Sequence, residues 1–433
     1  MSRDKDVLPL EREASNSNAR NWIPIAIATA LAVPSLVLRF LEVTGIYHPN
    51  WPDLVIAAIF GLGILASATL LVWASEVAEQ LISATLALAL LAIIAVLPEY
   101  AVDLYFAWTA PDNPDYAHLA LANMTGANRL LVGFAWPVVF FIFWRQQRKL
   151  GSSGAVLQLG NQNSVALIFL GLATIYSFTI PARGHLSLID SGILIPLFII
   201  YLFISSRAPP AEEVPLVGPA QAIAALPIRW RWTAVIGIFA FAAAAIFAAA
   251  EPFANGLVDT GESLGISEYL LVQWIAPLAS ESPEFVLAAL LAARGRAQAG
   301  LTVLLSSKVN QWTLLVGSLP LVFAVSAGSI DPLGFDNRQV EEVFLTAAQS
   351  LFAVAILTSL SLSFWEAAIM FVLFIGQLFF PQSEIRWGFG IAYLALAARW
   401  FIFERRFVPQ LFRIARQEVS QPRQSPRQEP RVR

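Results

Sequence analysis

The sequence contains no cysteine, only three lysines and three histidines, and few charged residues of either sign. Without cysteine the chain forms no disulfide, uses no thiolate in catalysis and holds no iron–sulfur cluster. The histidines His48, His118 and His185 lie in or near predicted loops and form no HExxH pair, which argues against a zinc hydrolase. The formal net charge of −3 argues against a nucleic-acid partner.

Apolar residues, by contrast, are abundant. Of the 433 residues 57% are hydrophobic and 13% are charged, and the mean hydropathy is +0.66. Soluble domains carry roughly 25% charged residues, and about 20 apolar residues suffice to cross a bilayer. The sequence therefore predicts an all-α, polytopic membrane protein with about 12 transmembrane helices. We place these near 23–42, 52–75, 81–108, 117–144, 163–181, 187–206, 231–257, 266–293, 297–326, 341–362, 364–381 and 386–404.

Loop charge predicts the orientation of these helices. One side collects most cations, and the other side collects acids. By the positive-inside rule the cationic side is cytoplasmic, so we predict a protein of the plasma (inner) membrane with both termini in the cytoplasm. The cationic side has Arg145, Arg148, Lys149, Arg207, Arg229, Arg231, Arg294, Arg296, Arg405 and Arg406; the acidic side has Asp112, Asp115, Asp259, Glu262, Asp331 and Asp336.

Two halves of the chain are similar. LPEYAVDLYFAW (97–108) resembles SPEFVLAALLAA (282–293), and LLVG recurs at 130–133 and 314–317. IDSGILIPLFIIYLF (189–203) also resembles WEAAIMFVLFIGQLF (365–379). The paired motifs lie five helices apart, an odd number, so the two copies run in opposite directions across the membrane. Inverted repeats are typical of secondary transporters, whose substrate site forms near the midplane.

These features divide the chain into seven predicted segments. Two five-helix repeats, 52–206 and 231–381, are joined by a Pro- and Ala-rich linker at 207–230. One extra transmembrane helix lies on each side of the repeats, at 23–51 and 382–404. Polar residues 1–22 are predicted to be a cytosolic tail, not a signal peptide, and 405–433 a basic, disordered tail.

The stretch PLASESPEF (277–285) places acidic residues inside an apolar run, and LPE (97–99) does the same in the first repeat. A carboxylate at bilayer depth costs several kcal/mol unless it faces a polar cavity or a partner. Pro98 and Pro283 each remove a helix hydrogen bond and expose a carbonyl oxygen beside Glu99 or Glu284. Hard cations such as Ca²⁺ bind six to eight oxygens. We therefore predict that Glu99 and Glu284 meet near the midplane and bind a cation.

These motifs resemble the two alpha repeats of the sodium/calcium exchanger family, in the cation/calcium antiporter superfamily. Each family repeat has a (Thr/Ser)-Ser-Leu-Pro-Glu helix followed by a helix with Gly-Ser-Asn and a further amide or carboxylate. The resemblance covers roughly residues 52–381. It implies ten core helices and exchange of Ca²⁺ against Na⁺ or H⁺ by alternating access.

The family's ligand positions are only partly conserved in this chain. In the first repeat Ala95 and Val96 replace the hydroxyl residues, whereas the second repeat has Ser280 and Glu281 there. The resemblance implies the following metal ligands: Glu99, Glu284, Asn123, Asn128, Ser280, Glu281, Ser307, Asn310 and Gln311. Ala127 stands where the family has serine, and Lys308 stands where it has asparagine.

Two cations accompany these predicted ligands. Lys308 would neutralise a nearby carboxylate and occupy the electrostatic place of a bound monovalent cation; the alternative is that it reaches a membrane interface. Arg129 follows Asn128, and Asp103 is its natural partner. We hypothesise that Lys308 and Arg129 form internal ion pairs that replace part of the family's ion set.

The predicted function is that of a secondary active antiporter, not an enzyme, which moves Ca²⁺ and/or Na⁺ at a midplane carboxylate site. A proton-coupled Na⁺/H⁺ or Ca²⁺/H⁺ antiporter is one alternative, and a degenerate, non-transporting protein of the same fold is another. We expect no cofactor apart from the transported Ca²⁺, Na⁺ or H⁺. The expected partners are inorganic cations and the lipid bilayer, and the oligomeric state is left open.

Overall fold

The computed structural model of the chain describes residues 7–81, 97–151, 154–207, 216–380 and 382–420. These residues are almost entirely helical, and each strand among them has two residues. In chain order the elements are α1 (Val7–Val43), α2 (Asp53–Leu81), α3 (Leu97–Thr109), α4 (Asp115–Leu130), a first π-helix (Leu131–Ala135), α5 (Trp136–Lys149), β1 (Leu157–Gln158), α6 (Asn163–Ser177), α7 (Thr179–Arg183), β2 (His185–Leu186), α8 (Leu188–Ser205), α9 (Pro219–Ala224), α10 (Ile228–Leu264), α11 (Glu268–Ala293), α12 (Ala297–Asn310), a second π-helix (Gln311–Leu315), α13 (Val316–Ala327), β3 (Leu333–Gly334), α14 (Asn337–Leu357), β4 (Ser361–Leu362), α15 (Phe364–Phe379), α16 (Ser383–Phe403) and α17 (Phe407–Ser420).

The all-α, polytopic fold predicted from the sequence is confirmed. Within the described residues, nine helices are long and apolar enough to cross a membrane. Helix α3 is the described end of the predicted span 81–108, of which residues 82–96 lie outside the described residues. Helix α15 is shorter, with 16 residues, and α16 has 21.

Three segments predicted to be tails or a linker contain helix. Helix α1 begins at Val7, inside the predicted tail 1–22, and α9 forms inside the linker 207–230. Helix α17 corrects the prediction of a disordered tail at 405–433, because residues 407–420 are helical. Leu411 and Ala415, four residues apart, are buried on one face of α17. The high content of Arg and Gln concealed this helical spacing of apolar residues.

Contacts divide the chain into two compact units: Met1–Val102 with Glu213–Pro283, and Asp103–Glu212 with Glu284–Arg433. In the first unit α2 packs along α10 through small residues. A Cβ atom on Gly256 would lie only 3.0 Å from the backbone nitrogen of Ala57, so glycine permits the close approach of the two helices. Arg39 of α1 pairs with Glu251 of α10 and, at 3.1 Å, with Glu42.

The second unit is built around α14, which is almost wholly buried and packs against α4, α6 and α16. Its N-terminus is fixed by a capping box. The Asp336 side chain accepts from the Gln339 backbone nitrogen at 3.0 Å, and the Gln339 side chain accepts from the Asp336 nitrogen at 2.8 Å. Such a cap satisfies helix N–H groups that have no partner within the helix.

The repeat predicted from the sequence is visible in the second unit as an exchange of strands. Strand β1 precedes α6 and pairs with β4, which precedes α15; β2 precedes α8 and pairs with β3, which precedes α14. Each half therefore supplies one strand to each pair. The two strand pairs join the sequence halves through backbone hydrogen bonds.

Helices α8 and α15 begin with the same device. Asp190 accepts from the backbone nitrogen of Ser187 at 2.7 Å, and Glu366 accepts from that of Ser363 at 2.6 Å. Both interactions are capping boxes at equivalent positions of the two repeats. Asp190 and Glu366 thus cap the N-termini of α8 and α15, and their charges stabilise the positive ends of the helix dipoles.

The repeated LLVG motifs place a glycine against the last helix of the opposite repeat. Gly133 lies on Phe374 of α15, and Gly317 lies on Leu194 and Ile195 of α8. At Gly317 an added Cβ would be 3.0 Å from Ile195 Cγ1. At Gly133 it would collide with Phe374 Cβ and Cγ, which lie at the base of the side chain next to the helix backbone.

We predict that Gly133→Ala destabilises the protein by about 1–3 kcal/mol, because the added methyl overpacks the contact with Phe374. The matched control is Gly192→Ala, which adds the same methyl to α8 where no atom lies within 4 Å. The control should be neutral or slightly stabilising, since alanine favours a helix over glycine. Thermal unfolding in detergent measures both, and equal melting temperatures would refute the contact.

Candidate functional site

All twelve residues predicted to bind ions or to couple their binding are buried. None of them is more than 8% exposed. They are Glu99, Asp103, Asn123, Asn128, Arg129, Ser280, Glu281, Glu284, Ser307, Lys308, Asn310 and Gln311. Because ionisable groups buried at membrane depth are rare and costly, this burial favours internal roles over positions at the membrane surface.

The twelve residues divide between the two units. Glu99, Ser280 and Glu281 belong to the first unit, and the other nine belong to the second. The prediction that Glu99 and Glu284 bind one cation together therefore stays a prediction. Glu99 lies in the first turn of α3, after Pro98, and Ala95 and Val96 lie outside the described residues.

Helix α11 carries Pro277 and Pro283 in its interior. Since proline has no backbone N–H, each removes one hydrogen bond from the helix. Two serine hydroxyls donate to carbonyls of the same stretch: Ser280 Oγ to Ala276 O at 3.2 Å, and Ser282 Oγ to Leu278 O. A serine oxygen keeps its lone pairs when its hydrogen is donated in this way, so Ser280 Oγ can still coordinate a cation.

Glu284 is held by the helix that follows it. Ser307 Oγ of α12 donates to Glu284 Oε2 at 2.7 Å, and both side chains are buried. A hydrogen bond from a hydroxyl to a carboxylate is short and strong because the acceptor is charged. This contact brings together two of the ligands that the sequence predicted.

Gln311 lies one turn after Ser307, at the start of the second π-helix. Its side chain is fully buried, and among the described residues neither its amide oxygen nor its amide nitrogen has a hydrogen-bond partner. A buried amide without a partner costs about 1–3 kcal/mol. The described residues contain no group of three or more Asp, Glu or His that could bind a metal. Ca²⁺ also binds amide, backbone and water oxygens.

Both candidate ligand segments run into π-helices. The first, Leu131–Ala135, begins three residues after Asn128, and the second, Gln311–Leu315, begins directly after Asn310. A π-turn widens the helix and shifts its hydrogen-bond register, and such turns are often found at functional sites. The sequence does not predict these π-helices, because the pattern of apolar residues continues through both segments.

Asn123 and Asn128 of α4 have separate partners. Asn123 Nδ2 donates to Asp103 Oδ1 at 2.8 Å. Asn128 Nδ2 donates to Met124 O at 2.8 Å, which turns the side-chain oxygen of Asn128 away from its own helix.

That oxygen accepts a hydrogen bond from Lys308. The Lys308 ammonium lies 2.6 Å from Asn128 Oδ1 and 3.3 Å from the Asn128 backbone oxygen. It also lies 4.6 Å from the centre of the Trp312 ring. Lys308 has no exposed surface, which rules out the alternative that it reaches a membrane interface.

Arg129 pairs with a residue that the sequence analysis did not single out. Its Nη2 lies 2.6 Å from Glu342 Oε2 of α14, and both side chains are at most 4% exposed. Gln349 of the same helix donates to the Arg129 backbone oxygen at 3.3 Å. The pairing of Arg129 with Asp103 stays a prediction.

This ion pair continues into α16. Arg386 Nε lies 3.9 Å from Glu342 Oε1, and Arg386 Nη2 lies 2.7 Å from Glu341 Oε2. Four charges thus alternate in sign from Arg129 to Glu341; three of them are buried, and the Arg386 side chain is 12% exposed. The adjacent acids Glu341 and Glu342 in an apolar helix were the sequence signal for these ion pairs. The predicted span 341–362 puts them at its beginning.

Removing one partner of a buried ion pair leaves the other charge uncompensated, whereas removing both can be nearly neutral. We predict that Glu342→Met lowers the free energy of unfolding by about 3–5 kcal/mol and that the double variant with Arg129→Met regains most of this loss. Chemical unfolding measures the cycle. As a control, Glu404→Met removes the exposed pair with Arg406 and should cost at most about 1 kcal/mol. A double variant no more stable than Glu342→Met would contradict the pairing.

Both halves of the chain match a known protein family. The family model described as sodium/calcium exchanger protein matches residues 53–207 and 234–381, stretches that begin and end within a few residues of the two predicted repeats. Among the curated proteins no match was found.

Solved structures that are similar to the chain include the H⁺/Ca²⁺ exchanger CAX and YfkE. The crystal structure of the H⁺/Ca²⁺ exchanger CAX is 40% identical in sequence, with a TM-score of 0.86, and the match covers 93% of this chain and 99% of CAX. Native YfkE is 16% identical with a TM-score of 0.59, over 85% of this chain and 100% of YfkE, and shows the fold alone. Since the family model covers both halves and the likeness to CAX extends over nearly the whole chain, this integral, multi-pass membrane protein belongs to the sodium/calcium exchanger family as a divergent member.

Proposed function

We propose that the protein is a Ca²⁺ antiporter that uses protons as the counter-ion. The observation that carries the proposal is the 40% identity to an H⁺/Ca²⁺ exchanger over 93% of this chain. The loop charges further support a location of both termini in the cytoplasm, as expected for a transporter of the inner membrane.

The chemistry of the second unit supports a hard cation as the substrate. Glu284 offers a carboxylate that Ser307 orients, and Gln311 offers an amide oxygen that has no partner among the described residues. Ca²⁺ prefers such oxygens, from carboxylates, amides and backbone carbonyls.

In this proposal the Glu284 carboxylate couples the binding of Ca²⁺ to the release of a proton. A buried, bare carboxylate is costly in a low-dielectric surrounding, and either a proton or Ca²⁺ removes that cost. Each ion therefore displaces the other from Glu284, and the carboxylate is neutralised in every state that changes access. In this proposal Glu99 is the second essential carboxylate, and the empty, charged protein is the state that does not change access.

The test uses purified protein in liposomes that contain a fluorescent Ca²⁺ indicator. With an acidic interior and no Na⁺ present, we expect Ca²⁺ uptake that stops when a proton ionophore removes the pH gradient. Glu284→Gln and Glu99→Gln should each reduce uptake to the level of empty liposomes, since glutamine cannot exchange a proton. Glu384→Gln, the same change at an exposed position of α16, should leave uptake unchanged.

Other outcomes of this assay identify the alternatives. Uptake driven by a Na⁺ gradient and indifferent to pH would show that protons are not the counter-ion. Ca²⁺ flux that needs no opposing gradient would indicate a channel. Absence of flux under every gradient, with folded protein, would support the degenerate protein.

A second prediction separates ligands from structural residues. Gln311→Leu should weaken Ca²⁺ binding about tenfold or more, a loss of about 1.4 kcal/mol, and at the same time raise stability without Ca²⁺, because a partnerless amide is removed. Gln377→Leu is the matched control. Gln377 is also buried without a partner for either amide atom among the described residues, but it lies in α15 and is no candidate ligand.

The measurement is the melting temperature with and without Ca²⁺. Both variants should melt higher than wild type in the absence of Ca²⁺, and only Gln311→Leu should lose the shift that Ca²⁺ produces. If both variants keep the shift, Gln311 is not a ligand.

A further inference from the structure

Lys308 differs from the other two lysines of the chain. Lys5 and Lys149 lie in polar segments, whereas Lys308 is among the largest side chains that are fully buried. Holding an ammonium without any contact with solvent is costly unless its surroundings replace the lost water. The surroundings of Lys308 therefore show what this part of the protein is built to hold.

Those surroundings resemble the shell of a bound monovalent cation. The ammonium has two oxygens of one residue, Asn128 Oδ1 at 2.6 Å and Asn128 O at 3.3 Å, and the face of Trp312 at 4.6 Å. Side-chain amide and backbone carbonyl oxygens are the neutral ligands that hard cations share, and an indole face attracts cations by its quadrupole.

The orientation of the Asn128 side chain is fixed by a hydrogen bond within its own helix. Its amide nitrogen is used by Met124 O at 2.8 Å, so its side-chain oxygen must point outward from α4. Asn128 is itself fully buried, and the helix ladder is interrupted by the π-helix that begins three residues later. The outward side-chain oxygen and the backbone oxygen of Asn128 thus form a small, preorganised pair of cation ligands.

The position of Lys308 in its own helix connects this pair to the carboxylate. Ser307, the preceding residue, donates to Glu284 at 2.7 Å. The fixed positive charge and the residue that orients the exchanging carboxylate are therefore neighbours in one helix.

We propose that the Lys308 ammonium permanently occupies a monovalent-cation subsite formed by Asn128, which excludes Na⁺ and leaves the protein to bind Ca²⁺ and protons only. This inference rests on the proposed function for its consequence in transport, whereas the subsite itself can be tested by binding alone. Removal of the ammonium, with the volume kept, should open the two oxygens to Na⁺.

The test compares wild type, Lys308→Met, Lys308→Arg and Lys149→Met. Methionine keeps most of the volume without charge, arginine keeps the charge, and Lys149→Met is the same change at an exposed lysine. Melting temperatures are measured at equal ionic strength in sodium, potassium and choline chloride. We expect Na⁺ to raise the melting temperature of Lys308→Met by about 2–4 °C relative to choline, and to leave the other three proteins unchanged.

If Lys308→Met does not fold, Lys308→Ser carries the same test, since its hydroxyl adds an oxygen ligand in the vacated space. No sodium-specific shift in a folded neutral variant would overturn the proposal, and so would failure of both variants to fold in sodium as well as in choline. An equal shift in wild type would overturn it too, because the subsite would then be open.

The liposome assay then distinguishes this proposal from the proposed function. Wild-type Ca²⁺/H⁺ exchange should not respond to Na⁺, and exchange by Lys308→Met should. If no variant transports Ca²⁺ but Lys308→Met still binds Na⁺, the proposed function fails and the subsite stands. If wild type exchanges Ca²⁺ for H⁺ and Lys308→Met binds no Na⁺, the subsite fails and the function stands.

Discussion

The cost of an ionised group in a low-dielectric surrounding is the constraint on which the interior of this protein depends. Each charge for which the structure gives a contact has a matching group: Glu284 has the hydroxyl of Ser307, and Lys308 has both oxygens of Asn128. Arg129 has Glu342, whose other oxygen faces Arg386. The backbone that carries these residues is shaped accordingly, with prolines in α11 and π-helices after α4 and α12. Pro283 stands beside Glu284, and the second π-helix begins at Gln311, so irregular backbone accompanies some of these polar side chains.

The repeated architecture provides the rigidity that such contacts need. Strand pairs formed by one strand from each half, matched capping boxes on α8 and α15, and glycines against the opposite repeat fix the second unit at equivalent points. These links involve backbone atoms and small residues, and they tolerate changes in the side chains around them. Two copies of one scaffold can thus differ at equivalent positions without loss of the fold, as Asn128 and Lys308 do.

The sequence predicted the fold class, the repeats and the burial of the acidic residues because each depends on a local or periodic pattern. Long apolar runs indicate spanning helices, and an acid inside such a run indicates an internal role. The partner of Arg129 could not be predicted, since Glu342 is 213 residues away and its neighbours are typical of a helix beginning at a membrane surface. The π-helices were missed because they preserve apolar patterning. Helix α17 was missed because its composition outweighed its periodicity, although Leu411 and Ala415 carried the signal.

The two buried cations have different consequences for transport, although the sequence suggested one role for both. Arg129 is bound to a carboxylate, so the pair is neutral and its role is to hold α4 against α14. Lys308 contacts both oxygens of Asn128 and the face of the Trp312 ring. A neutral pair leaves the field at a nearby acid almost unchanged, whereas a fixed positive charge favours the ionised form of that acid and disfavours a second monovalent cation. A transported ion must be able to leave, and a lysine cannot; a tethered charge therefore reduces the number of ions that a transport cycle can move.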